Sequence, residues 1–354
     1  MELTPIRVRG KRRAGGEQPV VARPLLKRLK KGQSQNKQAK DLRPKASEIE
    51  KSIPLEILER IFWLSENVNL PRAGPRLGRL LSGLSTLRET FITAFAPTWE
   101  VWFGRVDDRG TDFRGVHSYV DWEEDGDQFG GNPSFQTDLL ACSWTTIDMI
   151  LDCRDIWVRR HARTRSFQYP PLWGDPIEPS SNTISSDAAG ISDIKDARSS
   201  FYRDYNAFRD IERLSTHSES ANYRLERNPC TWIGVHRNTE IPDDLLIGPW
   251  DEGSLQKFFW LVQAGARLSS GQTWEITREG FGNAISDQLA PNLTVIRLLY
   301  ILGAFQKWPR YVIEEEYHRI DTIMPTLSGI ITLWPKYTYI EMVLSTYNDR
   351  LICR

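Results

Sequence analysis

Between Ser52 and Leu64 apolar residues crowd a short segment more densely than a surface helix needs. At about 100° per residue, Leu55, Ile57, Leu58, Ile61, Phe62 and Leu64 fan across roughly 180° of a helical wheel, against the roughly 100° that packs such a helix on its core. The surplus predicts a second contact for the outer part of the arc. Trp63 falls on the polar side, among Glu56, Glu59 and Arg60, where it either leans on a neighbouring domain or rims an interface. Ser52 can serve as N-cap and Pro54 suits a first turn, so the helix is predicted from about 53 to about 66, with a turn at Asn67 to Asn69. A shorter helix follows from about Ala73 to Leu81, with Leu77, Leu80 and Leu81 on one side and Gly83 as its stop. Thr86 to Phe95 then carries Leu87, Phe91, Ile92 and Phe95 at helical spacing.

Beyond Pro97 the alternation loses its period. Residues 97–131 mix Trp99, Trp102, Phe103, Tyr119 and Trp122 with acidic and Gly positions, which predicts a loop-rich stretch whose aromatics need something to pack on. Asn132-Pro133 supplies a cap and a first-turn proline for one long helix, with Leu140, Trp144, Ile147, Leu151 and Val158 on its inner face. Residues 170–192 are linker-like, rich in Pro, Ser, Asp and Gly. Helix resumes near Asp193, with Phe201, Tyr205, Phe208 and Ile211 on one face, before an irregular stretch to Gly248-Pro249. Consecutive helices are predicted over Asp251–Ala264, Thr273–Ile285, Asn292–Gln306 and Pro309–Ile323, then a short one up to Trp334, then Tyr337–Leu351. Gly265, Pro291, Pro309, Pro325 and Pro335 punctuate them. The predicted fold class is mainly α: a basic arm over 1–50, a three-helix module over 51–96, and a larger helical domain over 97–354 with irregular Trp-rich loops.

Composition adds one asymmetry. The chain of 354 residues is neutral overall, yet residues 1–50 hold 14 Lys and Arg against 5 Asp and Glu, so the remainder is acidic to the same degree. Residues 1–46 lack the periodic apolar content that would offset ordering entropy, so a disordered arm is expected. Lys11-Arg12-Arg13 and Lys27-Arg28-Leu29-Lys30-Lys31 lie 13 residues apart, the spacing of a bipartite nuclear-import signal. The same residues equally suit a solvated basic tail or a non-specific polyanion contact, and no aromatic interleaves them to stack on bases. The 13 Trp point to packing or interaction surface. Cys142, Cys153, Cys230 and Cys353 form no C-x-x-C pair and no leader-like apolar run follows Met1, so a nuclear or cytoplasmic, reducing location is expected rather than secretion. The longest apolar run, Leu298 to Phe305, is far short of the roughly 20 residues that span a bilayer.

Residues fit for chemistry are sparse. No phosphate-binding glycine loop, nucleophile elbow or H-E-x-x-H motif occurs, and His117, His161, His217, His236 and His318 stand singly, so neither an enzyme nor a cofactor is expected. Asp121, Glu123 and Asp125 with Gly126 imitate the first half of a calcium loop, but the twelfth position is Asn132 where a bidentate Glu belongs. An acidic surface loop explains the same residues. Leu261-Val262-Gln263-Ala264-Gly265-Ala266 and Leu299-Tyr300-Ile301-Leu302-Gly303-Ala304 resemble the end of an ankyrin repeat's second helix, without its Thr-Pro-Leu-His start, so stacked helix pairs are expected rather than true repeats.

The pattern Ile53-Pro54-x-Glu56-Ile57-Leu58-x-x-Ile61-Phe62-x-Leu64 resembles the opening helix of an F-box, the three-helix module that docks on the Skp-type adaptor of cullin-based ubiquitin ligases. The likeness covers about an eighth of the chain and continues through Asn69 to Phe95. The commonest F-box carries a basic-Trp pair in its second half; here Leu70-Pro71-Arg72-Ala73-Gly74-Pro75-Arg76-Leu77-Gly78-Arg79-Leu80-Leu81 is closer to variants found in filamentous fungi. Ala94-Phe95-Ala96-Pro97-Thr98-Trp99-Glu100-Val101-Trp102-Phe103-Gly104 and Ile241-Pro242-Asp243-Asp244-Leu245-Leu246 resemble segments of the same fungal group. The resemblance implies a substrate receptor, with Pro54, Leu55, Ile57, Leu58, Ile61, Phe62, Leu64, Leu77, Leu80 and Leu81 meeting the adaptor. Its other implied partners are a cullin, reached through that adaptor, and a protein substrate. Two further readings stay open: a scaffold in which this helix is ordinary core, and a nuclear nucleic-acid-associated protein using the basic arm.

Overall fold

The computed structural model describes residues 52–102, 130–161, 197–209, 234–286, 290–327 and 333–352. The basic arm, the acidic loop at 121–127, the linker at 170–192, Ile211, Cys230 and Cys353 lie outside them. The described chain is mainly α. Its helices are α1 (Leu55–Ser65), α2 (Pro75–Leu81), α3 (Leu84–Trp102), α4 (Pro133–Ala141), α5 (Ile147–His161), α6 (Ala197–Arg209), α7 (Asp243–Ile247), α8 (Glu252–Gln263), α9 (Trp274–Ile285), α10 (Leu293–Ile301), α11 (Arg310–Ile323) and α12 (Trp334–Ile352), with 3₁₀ turns at Leu70–Ala73, Ala304–Lys307 and Met324–Leu327. Residues 46–354 form one compact unit. Among the described residues, Glu240 and Arg267 make an isolated parallel β-bridge.

Two apolar cores divide this unit. The smaller joins Leu58 and Phe62 of α1 to Leu77 and Leu81 of α2, with Ile53, Trp63, Leu70 and Leu80 at its margin. The larger begins on α3 with Phe91, Phe95 and Trp99 and runs through α4 to α12. The boundary expected at residue 96 therefore falls inside α3, and the loop expected from Pro97 is helix as far as Trp102. An interior proline costs a helix about 3 kcal/mol. Pro97 lies on the exposed side, while Phe91, Phe95 and Trp99 line the inner face, Phe91 stacked on Phe95 at 4.1 Å and both tilted to Trp99 at 6.3 and 5.9 Å between centroids. Trp99 is fully buried, donates its indole N–H to the Gly234 carbonyl at 2.8 Å, and meets the Trp157 ring edge-on at 5.5 Å.

The single helix expected from Pro133 is two. Asn132 caps α4 by accepting the amides of Ser134 and Phe135, so the residue standing at the twelfth calcium-loop position is committed to a helix start. The chain then breaks at Cys142. Thr145 donates its hydroxyl back to the Leu139 carbonyl at 2.6 Å, and Thr146 opens α5 by accepting the Met149 amide. Side-chain bonds of this kind compete with helix continuation. Trp144, expected in the core face, is half-buried at the turn.

Between α3, α4 and the segment after Gly234 sits Gln136, fully buried. Its Nε2 donates to the Ala94 carbonyl and to Thr98 Oγ1, both at 3.0 Å, and its Oε1 accepts the His236 amide at 2.8 Å and the Thr239 hydroxyl at 2.9 Å. Gly130 and Gly131, at φ +56° and +88°, bring the chain back against α3, where a Cβ on Gly130 would lie 2.9 Å from the Pro97 carbonyl.

The C-terminal helices follow the expected order with short trims. Asp251 caps α8 through the Ser254 amide, and Asn292 caps α10 through the Val295 amide. Gly265 and Gly303, at φ +94° and +70°, follow α8 and α10, so the two ankyrin-like helix ends share a left-handed glycine exit. The helix expected to start at Asn292 stops at Ile301 and resumes as a 3₁₀ turn. Pro335 sits in the first turn of α12, where a proline is tolerated, rather than ending the preceding helix.

On α8 burial pulls the Lys257 ammonium down to about 8. Its folded value lies below its unfolded value, so the unfolded chain binds more protons between those two values and stability rises with pH across that window. Lys257→Met is expected to remove this rise, seen by comparing urea denaturation of the two proteins at about pH 7.5 and about pH 9.5. Burial pushes the Cys153 thiol up to about 12, a contribution of opposite sign that is common to both proteins and cancels in the difference.

Candidate docking face

α1 begins at Leu55, with Pro54 at the N-cap, later than the Ser52 cap implies. The Pro54 carbonyl accepts the amides of Ile57 and Leu58 at 3.2 and 3.1 Å, which starts the helix where proline already holds φ at −59°. It ends at Glu66, in the left-handed region at φ 48°, whose carboxylate accepts the Asn132 side-chain amide.

Two faces of α1 are apolar. Leu58 and Phe62 point inward and are buried on Leu77 and Leu81. On another side Leu64 is 84% exposed, Ile57 46%, Ile61 40% and Leu55 39%, with Pro54 exposed beside them. At about 100° per residue, Leu64, Ile57, Ile61 and Pro54 fall within a sector of about 80°, while Leu55 lies on the inward side and is left open at the helix start. Large aliphatics scattered singly on a surface need no explanation; several along one short helix do.

A third side of α1 is polar and fastened to α3. Glu59 accepts the Thr86 hydroxyl at 2.6 Å, and the Trp63 indole donates to Thr90 Oγ1 at 3.0 Å. Trp63 thus leans on α3 rather than rimming the outward strip. Sequence reading could not find these bonds, because Thr86 and Thr90 register as unremarkable helix positions until α3 is laid alongside α1. Asn67 accepts the Asn69 amide at 2.9 Å and turns the chain toward the 3₁₀ segment, as predicted for that stretch.

The expected anchor set is accordingly divided. Leu58, Phe62, Leu77 and Leu81 are corrected from adaptor contacts to internal core, because each closes the gap between α1 and α2. Leu80 is half-buried at the margin of that cluster. Pro54, Leu55, Ile57, Ile61 and Leu64 remain at the surface. Leu84, 57% exposed at the start of α3, is an outward aliphatic the sequence reading passed over. The import-signal residues Lys11, Arg12, Arg13, Lys27, Arg28, Lys30 and Lys31 lie outside the described residues.

Among the described residues no group of His, Cys, Asp and Glu could hold a metal ion, and no helix is long and apolar enough to cross a membrane. His161 stacks on Trp157 at 4.7 Å and His318 is exposed. His236 is buried with its Nδ1 accepting the Asn238 amide, and burial, then Arg237 and Arg267, hold its imidazole below the usual value. Compared with known proteins, the chain matches no family model, no curated protein and no solved structure.

Proposed function

We propose that the chain is a substrate receptor of a cullin-based ubiquitin ligase, with α1 docking on a Skp-type adaptor and the helical body holding a protein for ubiquitination. The reading rests on the F-box-like pattern of residues 53–64, and the observation that carries it is the outward strip of Pro54, Leu55, Ile57, Ile61 and Leu64 on a helix already packed through Leu58 and Phe62. A receptor of this kind performs no chemistry. It raises the effective concentration of its cargo near the transferring enzyme. Covering one exposed aliphatic is worth roughly 1.5 to 3 kcal/mol, so a few such residues supply most of a micromolar contact, which needs about 8 kcal/mol.

The test is co-purification with a Skp-type adaptor. Ile57→Asp together with Leu64→Asp is expected to weaken capture by about a hundredfold or more, the loss of about 3 kcal/mol, while leaving the thermal melt unchanged because neither side chain belongs to the interior. Wild-type protein that fails to bind the adaptor would overturn the proposal.

A further inference from the structure

Arg267 presents an open cation on a fastened stretch of chain. Its amide donates to the Thr239 carbonyl and its carbonyl accepts the Ile241 amide, both at 3.0 Å, and Leu268 beside it is buried. Its own side chain is exposed and makes no hydrogen bond or ion pair among the described residues. Three positions on, Ser270 stands exposed at the tip of the turn that links α8 to α9, its hydroxyl also without a partner among the described residues. The tip is held by bonds at the surface. The Ser269 amide donates to Gln272 Oε1 at 3.0 Å, while the Gly271 amide reaches Ser269 Oγ and the Gln272 amide reaches the Ser269 carbonyl, both at 3.3 Å. Water or a kinase cleft can replace such bonds at small net cost.

A second cation sits at the same tip. Lys307, exposed at the end of the 3₁₀ turn Ala304–Lys307, donates its ammonium to the Ser269 carbonyl at 2.9 Å, an oxygen of the peptide group that joins Ser269 to Ser270. Two carboxylates border the turn: Asp243 accepts the Gln272 side chain, and Glu275 is exposed at the start of α9. The ammonium nonetheless already touches the peptide of Ser270. The same spacing of arginine and hydroxyl recurs at Arg79-Leu80-Leu81-Ser82, but there the Ser82 hydroxyl donates to the Gly78 carbonyl and Leu81 is fully buried in the small core. Arg163-Thr164-Arg165-Ser166 and Arg213-Leu214-Ser215-Thr216 lie outside the described residues.

We propose that Ser270 is a phosphorylation site, written by a protein kinase that selects arginine three residues before its acceptor, and that Lys307 receives the phosphate. A kinase of that class reads the arginine through carboxylates in its substrate cleft, a pairing that needs a guanidinium with free donors. ATP gives its γ-phosphoryl group to the Ser270 oxygen, the hydroxyl proton is released, and ADP leaves. The product carries a charge of about −1.5 to −2 at neutral pH and three acceptor oxygens. Beside Lys307 it makes a charge-assisted bond that ties the α8–α9 turn to the 3₁₀ turn, whether or not α1 meets an adaptor.

The experiment incubates the full chain with ATP and the catalytic domain of calmodulin-dependent protein kinase II, followed by intact mass and peptide mapping. A gain of about 80 Da mapped to Ser270 is expected, absent from Ser270→Ala. Arg267→Ala is expected to slow incorporation there by about tenfold or more, the loss of one charge-assisted contact, and Arg267→Lys to slow it less. Both side chains are exposed, so Arg267→Ala and Lys307→Gln are expected to leave the thermal melt nearly unchanged. With the other mapped acceptors replaced by alanine, ³¹P NMR of the product is expected to place the second phosphate ionisation about 0.5 below that of a phosphoserine peptide, and Lys307→Gln to remove the difference. No phosphate at Ser270, or incorporation there at an equal rate in Arg267→Ala, overturns the site. An ionisation that Lys307→Gln does not move overturns the receiving role of Lys307.

Discussion

Gly280→Ala is expected to destabilise the protein by about 4 kcal/mol or more, whereas Gly282→Ala, two residues along the same helix, is expected to stabilise it by about 0.5 to 1 kcal/mol. The difference lies in what faces each glycine of α9. A Cβ on Gly280 would stand 1.9 Å from the Leu246 carbonyl oxygen and 2.9 Å from its carbon, backbone atoms of α7 that cannot swing aside. α7 is pinned where it is: the Leu245 carbonyl accepts the Trp250 indole at 2.7 Å, and the Ile247 carbonyl accepts the Asn283 side chain at 3.0 Å. Leu246 itself is fully buried. Lifting α7 to admit one methyl would therefore open that core and break the Asn283 bond together, beyond the 1 to 3 kcal/mol usual for overpacking. Around Gly282 nothing lies within 4 Å, so alanine there gains only helix propensity. Urea denaturation of the two variants should give shifts of opposite sign, and equal shifts would show that α7 yields.

The second large effect centres on Gln136. Gln136→Leu preserves bulk but removes both donors and the acceptor, leaving the buried His236 amide and Thr239 hydroxyl without their partner. At about 1 to 3 kcal/mol per stranded group the expected loss is about 3 to 5 kcal/mol, read as a lowered urea midpoint with an unchanged slope. Gln136→Glu separates the two halves of the role. Its carboxyl can still accept from His236 and Thr239, but when ionised it faces the Ala94 carbonyl without a proton to share. Burial then raises its folded-state pKa above the unfolded value of about 4.3, so the variant's stability falls as pH rises through that interval. His236 gives the wild type the reverse slope. Its imidazole is held low when folded, so the unfolded chain takes up the proton first and stability is lost as pH falls below about 6.5. The variant keeps His236, so the expected result is that its stability relative to the wild type falls as pH rises above about 4.3.

These two residues mark where sequence reading ends. Period and capping chemistry located most helices: the Asn132 cap was visible because its bonds run to amides two and three positions away, and Asp251 and Asn292, read as helix starts, prove to be caps of the same local kind. Gly280 and Gly282 were indistinguishable as letters: what separates them is the α7 backbone, some thirty residues distant in the chain. Gln136 reads as an ordinary polar helix position until His236 and Thr239 arrive a hundred residues later. The break at Cys142 was missed because Leu140, Trp144 and Ile147 keep a helical period across it, and Thr145 and Thr146 decide the matter through local bonds. At the docking face the width of the apolar arc was legible and its partition was not. Which leucines turn inward depends on where α2 lies.

Because α3 gives Thr86 and Thr90 to α1 at one end and Phe91, Phe95 and Trp99 to the large core along the rest, no hinge separates the two. Its 19 residues make a rod roughly 28 Å long that acts as an axle shared by both. On the docking proposal, whatever grips α1 thereby holds the rest of the molecule at a set bearing. Cargo clamped to that body would present the same few lysines to an incoming ubiquitin each time, so choice of modification site would follow from rigidity rather than from any recognition of the lysines themselves.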